Sequence, residues 1–84
     1  MVNMAQKTVR QRLAETLIYL EDTFGKKEDG TLRIQLSREE LAGMIGTATE
    51  SCIRLLSELN KSEYIELIGK KIKLLDKNKL KRLT

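Results

Sequence analysis

Gly46 is the residue that most constrains the fold, because it separates two segments with helical patterns. The first segment, residues 38–45, reads "REELAGMI" and follows Ser37, with Glu40 three positions after that serine. A serine followed three residues later by a glutamate is a capping box, which starts a helix. A second helix is predicted from about residue 48 to 62, and glycine permits the left-handed backbone of a sharp turn. The sequence therefore predicts two helices joined by a turn of about four residues.

Apolar residues on both predicted helices indicate how the pair packs. The second helix carries a stripe whose members lie three, four and seven positions from its first residue: Cys52, Leu55, Leu56 and Leu59. Such spacings place side chains on one face of a helix. Ala42 is small enough to let the second helix pass close by. The apolar residues expected where the two helices face each other are Leu41, Ile45, Cys52 and Leu55.

The segment before this pair predicts a longer helix and a short strand. Residues 6–24 have apolar side chains at helical spacing, followed by Gly25 where a C-terminal helix cap belongs: Val9, Leu13, Leu17, Leu20 and Phe24. Asp29 and Gly30 favour a tight turn. The sequence "TLRIQL", residues 31–36, then alternates apolar and polar side chains, which predicts a strand.

The segment after the pair predicts a hairpin and a last helix. Residues 64–68 and 71–75 are two extended runs flanking Gly69 and Lys70, the pattern of a β-hairpin with a tight turn. Asp76 can cap a short final helix. Two helices joined by a turn and followed by a hairpin make a winged helix-turn-helix. The predicted fold class is therefore mainly α with small β, a three-helix core plus a β-hairpin wing in a single domain over residues 1–84.

Composition narrows the class of function. Residues 1–60 carry 8 basic and 9 acidic side chains, whereas residues 61–84 carry 8 basic and 3 acidic ones, a local net charge of +5. A localised positive field suits a polyanion such as nucleic acid. The chain has one cysteine and no histidine, so it lacks a disulfide framework, a metal or iron–sulfur site and a catalytic histidine. No signal peptide or membrane span is evident, and we expect a cytoplasmic protein that is not an enzyme.

The stretch "LSREELAGMIGTATESCIRLLSELNKSEYIELIGKKIKLL" resembles the DNA-binding domain of the cyclic-AMP receptor protein and fumarate-nitrate regulator (Crp/Fnr) family. The resemblance extends from about Val9 to Thr84 and is most specific over residues 36–69. Two positions depart from the family pattern, because family members often carry Ser or Thr at Ala48 and some carry Arg at Thr49. The positions that carry the resemblance are Leu36, Ser37, Arg38, Glu39, Glu40, Leu41, Ala42, Ile45, Gly46, Glu50, Ser51, Cys52 and Arg54.

The resemblance implies double-stranded DNA as the partner, with the second helix in the major groove and the wing, residues 64–75, on the backbone. Arg54 would then bind guanine and Glu50 cytosine, although residues four apart also form simple ion pairs. Ile53 would meet a thymine methyl group or pack on a neighbouring element. The residues expected to read bases are Thr49, Glu50, Ile53 and Arg54. Those expected to bind phosphate are Ser37, Arg38, Thr47, Ser51, Lys70 and Lys71.

Four of the six phosphate positions also have a simpler structural interpretation. Ser37 and Arg38 are an ordinary helix start, and Lys70 and Lys71 form a solvated hairpin tip that discourages edge pairing. The remaining basic residues near the C-terminus are more typical of a solvated helix face: Lys77, Lys79, Lys81 and Arg82. Cys52 is expected to be a buried structural residue.

The resemblance also implies parts that this chain lacks. Family members have an N-terminal sensory β-barrel and a long dimerisation helix, and residues 1–12 resemble the end of that helix. We therefore expect a fragment of a longer regulator or a stand-alone domain, with no cofactor bound by this chain. In a full-length protein, the implied partners are a second copy, through the missing helix, and RNA polymerase. The competing hypothesis is a winged helix that binds another protein and never contacts DNA.

Overall fold

The computed structural model describes residues 7–84. The elements, in chain order, are α1 Val9–Phe24, α2 Arg38–Ile45, α3 Thr49–Lys61, β1 Ile65–Ile68, β2 Lys71–Leu74 and α4 Lys77–Lys81. This is the predicted winged helix-turn-helix: helices form most of the chain and a two-stranded antiparallel hairpin forms the wing. Among the described residues, no helix has both the length and the apolar character needed to cross a membrane.

Both α1 and α2 begin at a complete capping box. The Ser37 hydroxyl accepts the amide of Glu40, and the Glu40 carboxylate accepts the amide of Ser37, as the sequence predicted. Thr8 and Gln11 make the same reciprocal pair at the start of α1. Residues 9–12 are therefore the first turn of α1 itself. Residues 1–6, where the end of a dimerisation helix was expected, lie outside the described part of the chain.

The core lies between α1, α2, α3 and the wing. Its buried apolar residues are Leu13, Ala14, Leu17, Leu20, Leu32, Leu41, Ala42, Ile45, Cys52, Leu56, Leu59, Ile65, Ile72 and Leu80. Phe24 was expected on the buried stripe of α1 but is 43% exposed. It is the last residue of that helix, and Gly25, with a φ of 80°, turns the chain away directly after it. Leu55 is half-buried, at the margin of the α3 stripe.

The wing is a hairpin of two strands with four residues each, in which Ile65 pairs with Leu74 and Ile68 pairs with Lys71. Each strand is one residue shorter than predicted at its outer end. Gly69 has a φ of 62°, and Lys70 is not among the residues with positive φ. A glycine with positive φ at the first turn position is the pattern of a type II′ turn, whose twist matches that of the flanking strands.

The predicted strand over residues 31–36 is wrong for most of its length. Only its first two residues meet the wing: Thr31 forms a bridge with Lys73, and the Leu32 amide donates to the Ile72 carbonyl at 2.8 Å. The Arg33 amide donates instead to the Gly25 carbonyl at 3.0 Å, which turns the chain away from β2. The alternation of apolar residues in this segment reflects burial of one side of an extended chain, not a continuous ladder.

Among residues 7–84, Thr31 is the one buried polar residue, and it anchors the turn before it. Its hydroxyl and its amide both donate to Asp29 Oδ1, at 2.7 and 2.9 Å. These hydrogen bonds lower the pKa of the Asp29 carboxyl. Because the pKa is depressed in the folded state, this contribution to stability is present above the unfolded-state pKa and is lost as pH falls through the folded-state pKa.

Glu63 follows α3 in a left-handed conformation, with a φ of 62°. The Tyr64 amide donates to the Leu59 carbonyl at 2.9 Å, and the Glu63 amide donates to the Asn60 carbonyl at 3.1 Å. This pair of bonds is a Schellman motif, whose left-handed position is usually occupied by glycine. The side chain at this position therefore adds backbone strain between α3 and the wing.

We expect Glu63→Gly to raise the free energy of unfolding by about 1 kcal/mol, because relief of the left-handed strain exceeds the entropy that glycine loses on folding. Urea unfolding followed by circular dichroism measures the change. Glu58→Gly is the matched control: Glu58 lies inside α3, where glycine should lower stability by about 0.5–1 kcal/mol. Destabilisation by both substitutions would show that Glu63 is not strained.

Candidate nucleic-acid interface

The turn between α2 and α3 sets the direction of α3. Gly46 is left-handed, with φ 75° and ψ 43°, and its amide donates to the Ala42 carbonyl. The Thr47 amide donates to the same carbonyl at 3.0 Å. Ala48 then occupies the N-cap of α3 without a side-chain hydrogen bond to the helix, since alanine has no acceptor. The sharp turn predicted at Gly46 is confirmed.

Arg12 fixes this turn to α1. Its Nε donates to the Ile45 carbonyl, at the end of α2, at 2.8 Å. Its Nη1 donates to the Lys7 carbonyl, just before α1, at 2.7 Å. One half-buried guanidinium therefore holds the start of α1 against the end of α2. No local sequence pattern indicates this role of Arg12, because Ile45 lies 33 residues further along the chain.

The outward face of α3 is a compact set of exposed side chains at helical spacing: Glu50, Ile53, Arg54, Ser57, Glu58 and Lys61. Three of the four residues expected to read bases belong to this face, and the fourth, Thr49, is half-buried at the helix start. Ile53 is 47% exposed. This exposure argues against the prediction that Ile53 packs on a neighbouring element, and it leaves the side chain accessible to a thymine methyl group. Glu50 and Arg54 form no ion pair within 4.0 Å in residues 7–84.

The residues expected to bind phosphate lie at the start of α2, at the turn and in the wing. Arg38 Nη1 reaches the Lys70 carbonyl at 3.4 Å, so the start of α2 and the tip of the wing are adjacent. Ser37 is exposed but its side chain already caps α2, while Thr47 and Ser51 are half-buried. Lys70 is exposed.

Lys71 is half-buried and partly neutralised within the protein. Its Nζ lies 3.7 Å from Asp29 Oδ2, in an ion pair whose two side chains are each about half exposed. Such pairs are weak, so Lys71 can exchange this partner for another anion. Lys70, whose side chain makes no ion pair with another described residue, is therefore the stronger candidate of the two for a phosphate contact.

The basic residues of α4 serve the fold more than a ligand. Lys77 pairs with Asp22 and Glu21 of α1, and the hydrogen bond to Asp22 raises the pKa of Lys77. Lys79 donates to the Ser62 carbonyl at 2.8 Å and lies 4.4 Å from the centre of the Tyr64 ring. Two of the four basic residues near the C-terminus therefore attach α4 to α1 and to the start of the wing.

Cys52 is fully buried on the inner face of α3. Burial raises the pKa of its thiol, an effect that the nearby positive charge of Arg38 opposes only in part. The thiolate, which is the reactive form, is therefore scarce in the folded protein.

We expect a thiol reagent to label Cys52 slowly in the native protein and rapidly in denaturant, as followed by mass spectrometry. Cys52→Val, which keeps an apolar side chain of similar volume at this site, should retain the fold and provides the control for reaction elsewhere. Rapid labelling of the folded protein would contradict a buried thiol.

A recognition-type helix set by a left-handed turn, with a hairpin wing beside the start of the preceding helix, defines a winged helix-turn-helix DNA-binding domain. Residues 11–83 match the Crp-like helix-turn-helix domain family. The chain belongs to this family of bacterial transcription regulators, whose members bind DNA and are not enzymes.

Two curated relatives illustrate the similarity. The chain is 33% identical over 73 residues to the CRP-like cAMP-activated global transcriptional regulator of Mycobacterium tuberculosis, covering 84% of this chain and 33% of the relative. It is 31% identical over 81 residues to the transcriptional regulator SdrP of Thermus thermophilus, covering 95% of this chain and 40% of the relative. The chain thus spans less than half the length of these relatives.

Solved structures show the same fold. A transcriptional regulator of the CRP/FNR family from Thermus thermophilus superposes with a TM-score of 0.82 at 30% identity, over 95% of this chain and 42% of that one. A mutant of CooA from Carboxydothermus hydrogenoformans superposes with a TM-score of 0.80 at 34% identity, over 94% of this chain and 38% of that one.

Proposed function

We propose that this chain is the sequence-specific DNA-binding module of a Crp/Fnr-type transcription regulator. The observation that carries the proposal is the outward face of α3, where Glu50, Ile53 and Arg54 are exposed together beyond the turn at Gly46. A helix carrying long polar side chains on such a face fits the major groove, where base edges present a distinct donor and acceptor pattern.

In this proposal, Arg54 donates to guanine, Glu50 accepts from cytosine, and Ile53 packs against a thymine methyl group. Thr49 lies at the start of α3, within reach of the same groove. The backbone contacts come from both sides of α3. Arg38, Thr47 and Ser51 lie on the α2 side and Lys70 and Lys71 in the wing, with Ser37 contributing through the start of α2.

The adjacency of Arg38 and Lys70 supports a shared phosphate site. Arg38 and Lys70 are 32 residues apart in sequence, yet the Arg38 guanidinium donates to the Lys70 carbonyl at 3.4 Å. A phosphate held by both would fix the wing relative to α2. This arrangement would set the register of α3 in the groove without contributing sequence information.

The relatives support further proposals for the complete regulator. Crp/Fnr regulators act as dimers, and we propose that the full-length protein is a cytoplasmic homodimer that contacts RNA polymerase. Two modules would then place two copies of α3 about one helical turn of DNA apart. The isolated module lacks the second half-site contact, so its affinity for DNA should be low.

Mobility-shift titrations of the 84-residue chain on duplex DNA test the proposal. We expect weak binding at low salt that decreases steeply as salt rises, by about 0.9 units of log K per log unit of salt for each phosphate contacted. DNA sites selected from a random pool should compete better than random duplexes. Absence of binding at every salt concentration would instead favour a protein-binding winged helix.

A further inference from the structure

The turn of residues 27–31 is fixed against the wing. The Lys27 amide donates to the Thr31 carbonyl at 2.8 Å, and the Gly30 amide donates to the Lys27 carbonyl at 2.9 Å, which closes the turn on itself. Thr31 is fully buried and forms a bridge with Lys73 of β2. The turn therefore holds its exposed side chains beside β2, the second strand of the wing.

Within this turn, the Asp29 carboxylate has a fixed orientation. Its Oδ1 accepts both the hydroxyl and the amide of Thr31, at 2.7 and 2.9 Å. Rotation of the carboxylate would leave the buried threonine hydroxyl without an acceptor, which is costly. The other oxygen, Oδ2, lies 3.7 Å from Lys71 Nζ. One carboxylate oxygen thus anchors Asp29 to the turn, while the other faces the ammonium group of the wing.

Lys71 has no second anionic partner in the part of the chain that the structure describes. Its side chain is 43% exposed and that of Asp29 is 51% exposed, so water and salt screen the pair. Ion pairs of this kind are weak enough for another anion to displace the carboxylate. Lys70, one residue earlier, forms no ion pair within residues 7–84. The two neighbouring lysines therefore differ in what each must give up to reach a phosphate.

We propose that Asp29 competes with a DNA phosphate for Lys71 and so lowers the affinity of this domain for all DNA sequences. This competition rests on the proposed function, in which Lys71 contacts the DNA backbone. Without DNA, the Asp29 carboxylate holds the ammonium group. When DNA binds, the ammonium group turns to a phosphate and leaves the carboxylate unpaired, which offsets part of the gain from the new contact. The turn of residues 27–31 therefore sets how strongly the wing is attracted to DNA.

The alternative is that the pair only stabilises the fold, by fastening the turn to the wing. The two roles predict changes of opposite sign in DNA affinity. If the pair is structural, removal of the Asp29 charge loosens the wing and weakens DNA binding. If Asp29 is a competitor, the same change strengthens DNA binding. Asp29→Asn distinguishes the two roles, because its amide oxygen can still accept both hydrogen bonds from Thr31 after the charge is lost.

Fluorescence anisotropy titrations of the 84-residue chain on duplex DNA, at several salt concentrations, measure the effect. We expect Asp29→Asn to raise affinity about two- to fivefold at low salt, the range that the energy of an exposed ion pair allows. The slope of log K against log salt should steepen by up to about 0.9 units, the contribution of one further phosphate contact. Selected and random duplexes should gain alike, since phosphate contacts carry no sequence information.

Glu28→Gln is the matched control for the loss of charge. Glu28 belongs to the same turn and is exposed, but it forms no ion pair with another described residue. This substitution should raise affinity much less than Asp29→Asn does. Lys71→Gln then tests the route of the effect: in that background, Asp29→Asn should raise affinity no more than Glu28→Gln does in the unmodified protein.

A second comparison leaves the turn intact. Lys70→Gln should reduce DNA affinity more than Lys71→Gln does, because Lys71 must first give up a carboxylate. In the Asp29→Asn background the two losses should become equal. Urea unfolding of each variant checks that the fold is retained.

Competition for Lys71 is ruled out if Asp29→Asn lowers DNA affinity or leaves it unchanged while the unmodified protein binds DNA. It is also ruled out if the gain from Asp29→Asn persists undiminished beside Lys71→Gln, since Asp29 would then repel the DNA backbone directly. These two outcomes leave the proposed function standing. Binding by no variant at any salt concentration would instead overturn the proposed function and the competition together.

Discussion

Truncation of Leu56 to alanine is expected to lower the free energy of unfolding by about 2–5 kcal/mol. Leu56 is 1% exposed and lies on α3, which packs against both α2 and β1. The substitution removes buried apolar atoms and leaves a cavity that the surrounding helices and hairpin fill only in part. Because the stability of an ordinary domain is only about 5–15 kcal/mol, this one change removes a large share of it.

Ile53→Ala is the matched control for this prediction, since it truncates another aliphatic side chain on the same helix. Ile53 is 47% exposed, so its loss should change the free energy of unfolding by less than about 0.5 kcal/mol. Urea unfolding measures both variants, and an unchanged denaturant slope shows that only stability has changed. Equal losses in the two variants would mean that α3 does not bury the face that carries Cys52, Leu56 and Leu59.

Arg54→Ala should relax the preference for one base by about 1–3 kcal/mol, or roughly 5- to 150-fold in relative affinity. Arg54 is exposed on α3, and no ion pair within residues 7–84 holds its guanidinium. Its side chain is therefore available to form a bidentate contact with guanine, which a methyl group cannot replace. The measurement is binding to a selected site, to its single-base variants and to random DNA.

Lys70→Ala removes the same charge from the wing and provides the comparison for Arg54→Ala. Phosphate contacts carry no sequence information. This variant should therefore weaken binding to all sequences about equally and reduce the salt slope by roughly one unit. If Arg54→Ala behaved in the same way as Lys70→Ala, Arg54 would be a phosphate contact and another residue of α3 would read the base.

The elements that could be predicted from the sequence are those specified by residues close together in the chain. The capping box of Ser37 and Glu40, the glycines at the two sharp turns and the helical spacing of Leu13, Leu17 and Leu20 are local signals. Each acts within about one helical turn, so a single sequence is sufficient to detect it. The predictions of the four helices and the hairpin were therefore correct to within a few residues at the ends of each element.

The features that could not be predicted depend on contacts between distant segments. The alternation of Leu32, Ile34 and Leu36 indicated a strand, but whether a strand pairs depends on how far a partner runs beside it. The Arg33 amide, bonded to Gly25, ends that pairing early. The same limit applies to the candidate interface, where the bond from Arg38 to Lys70 joins residues that no local pattern connects.

The bonds from Arg12 to the carbonyls of Lys7 and Ile45 have a mechanical consequence. A guanidinium is planar and rigid, so two carbonyls bonded to it cannot rotate independently of each other. The entrance to α1 and the exit from α2 therefore move as one unit. A twist imposed on the backbone at Lys7 would change the angle at which α3 leaves the turn, and so the angle at which it meets a DNA groove.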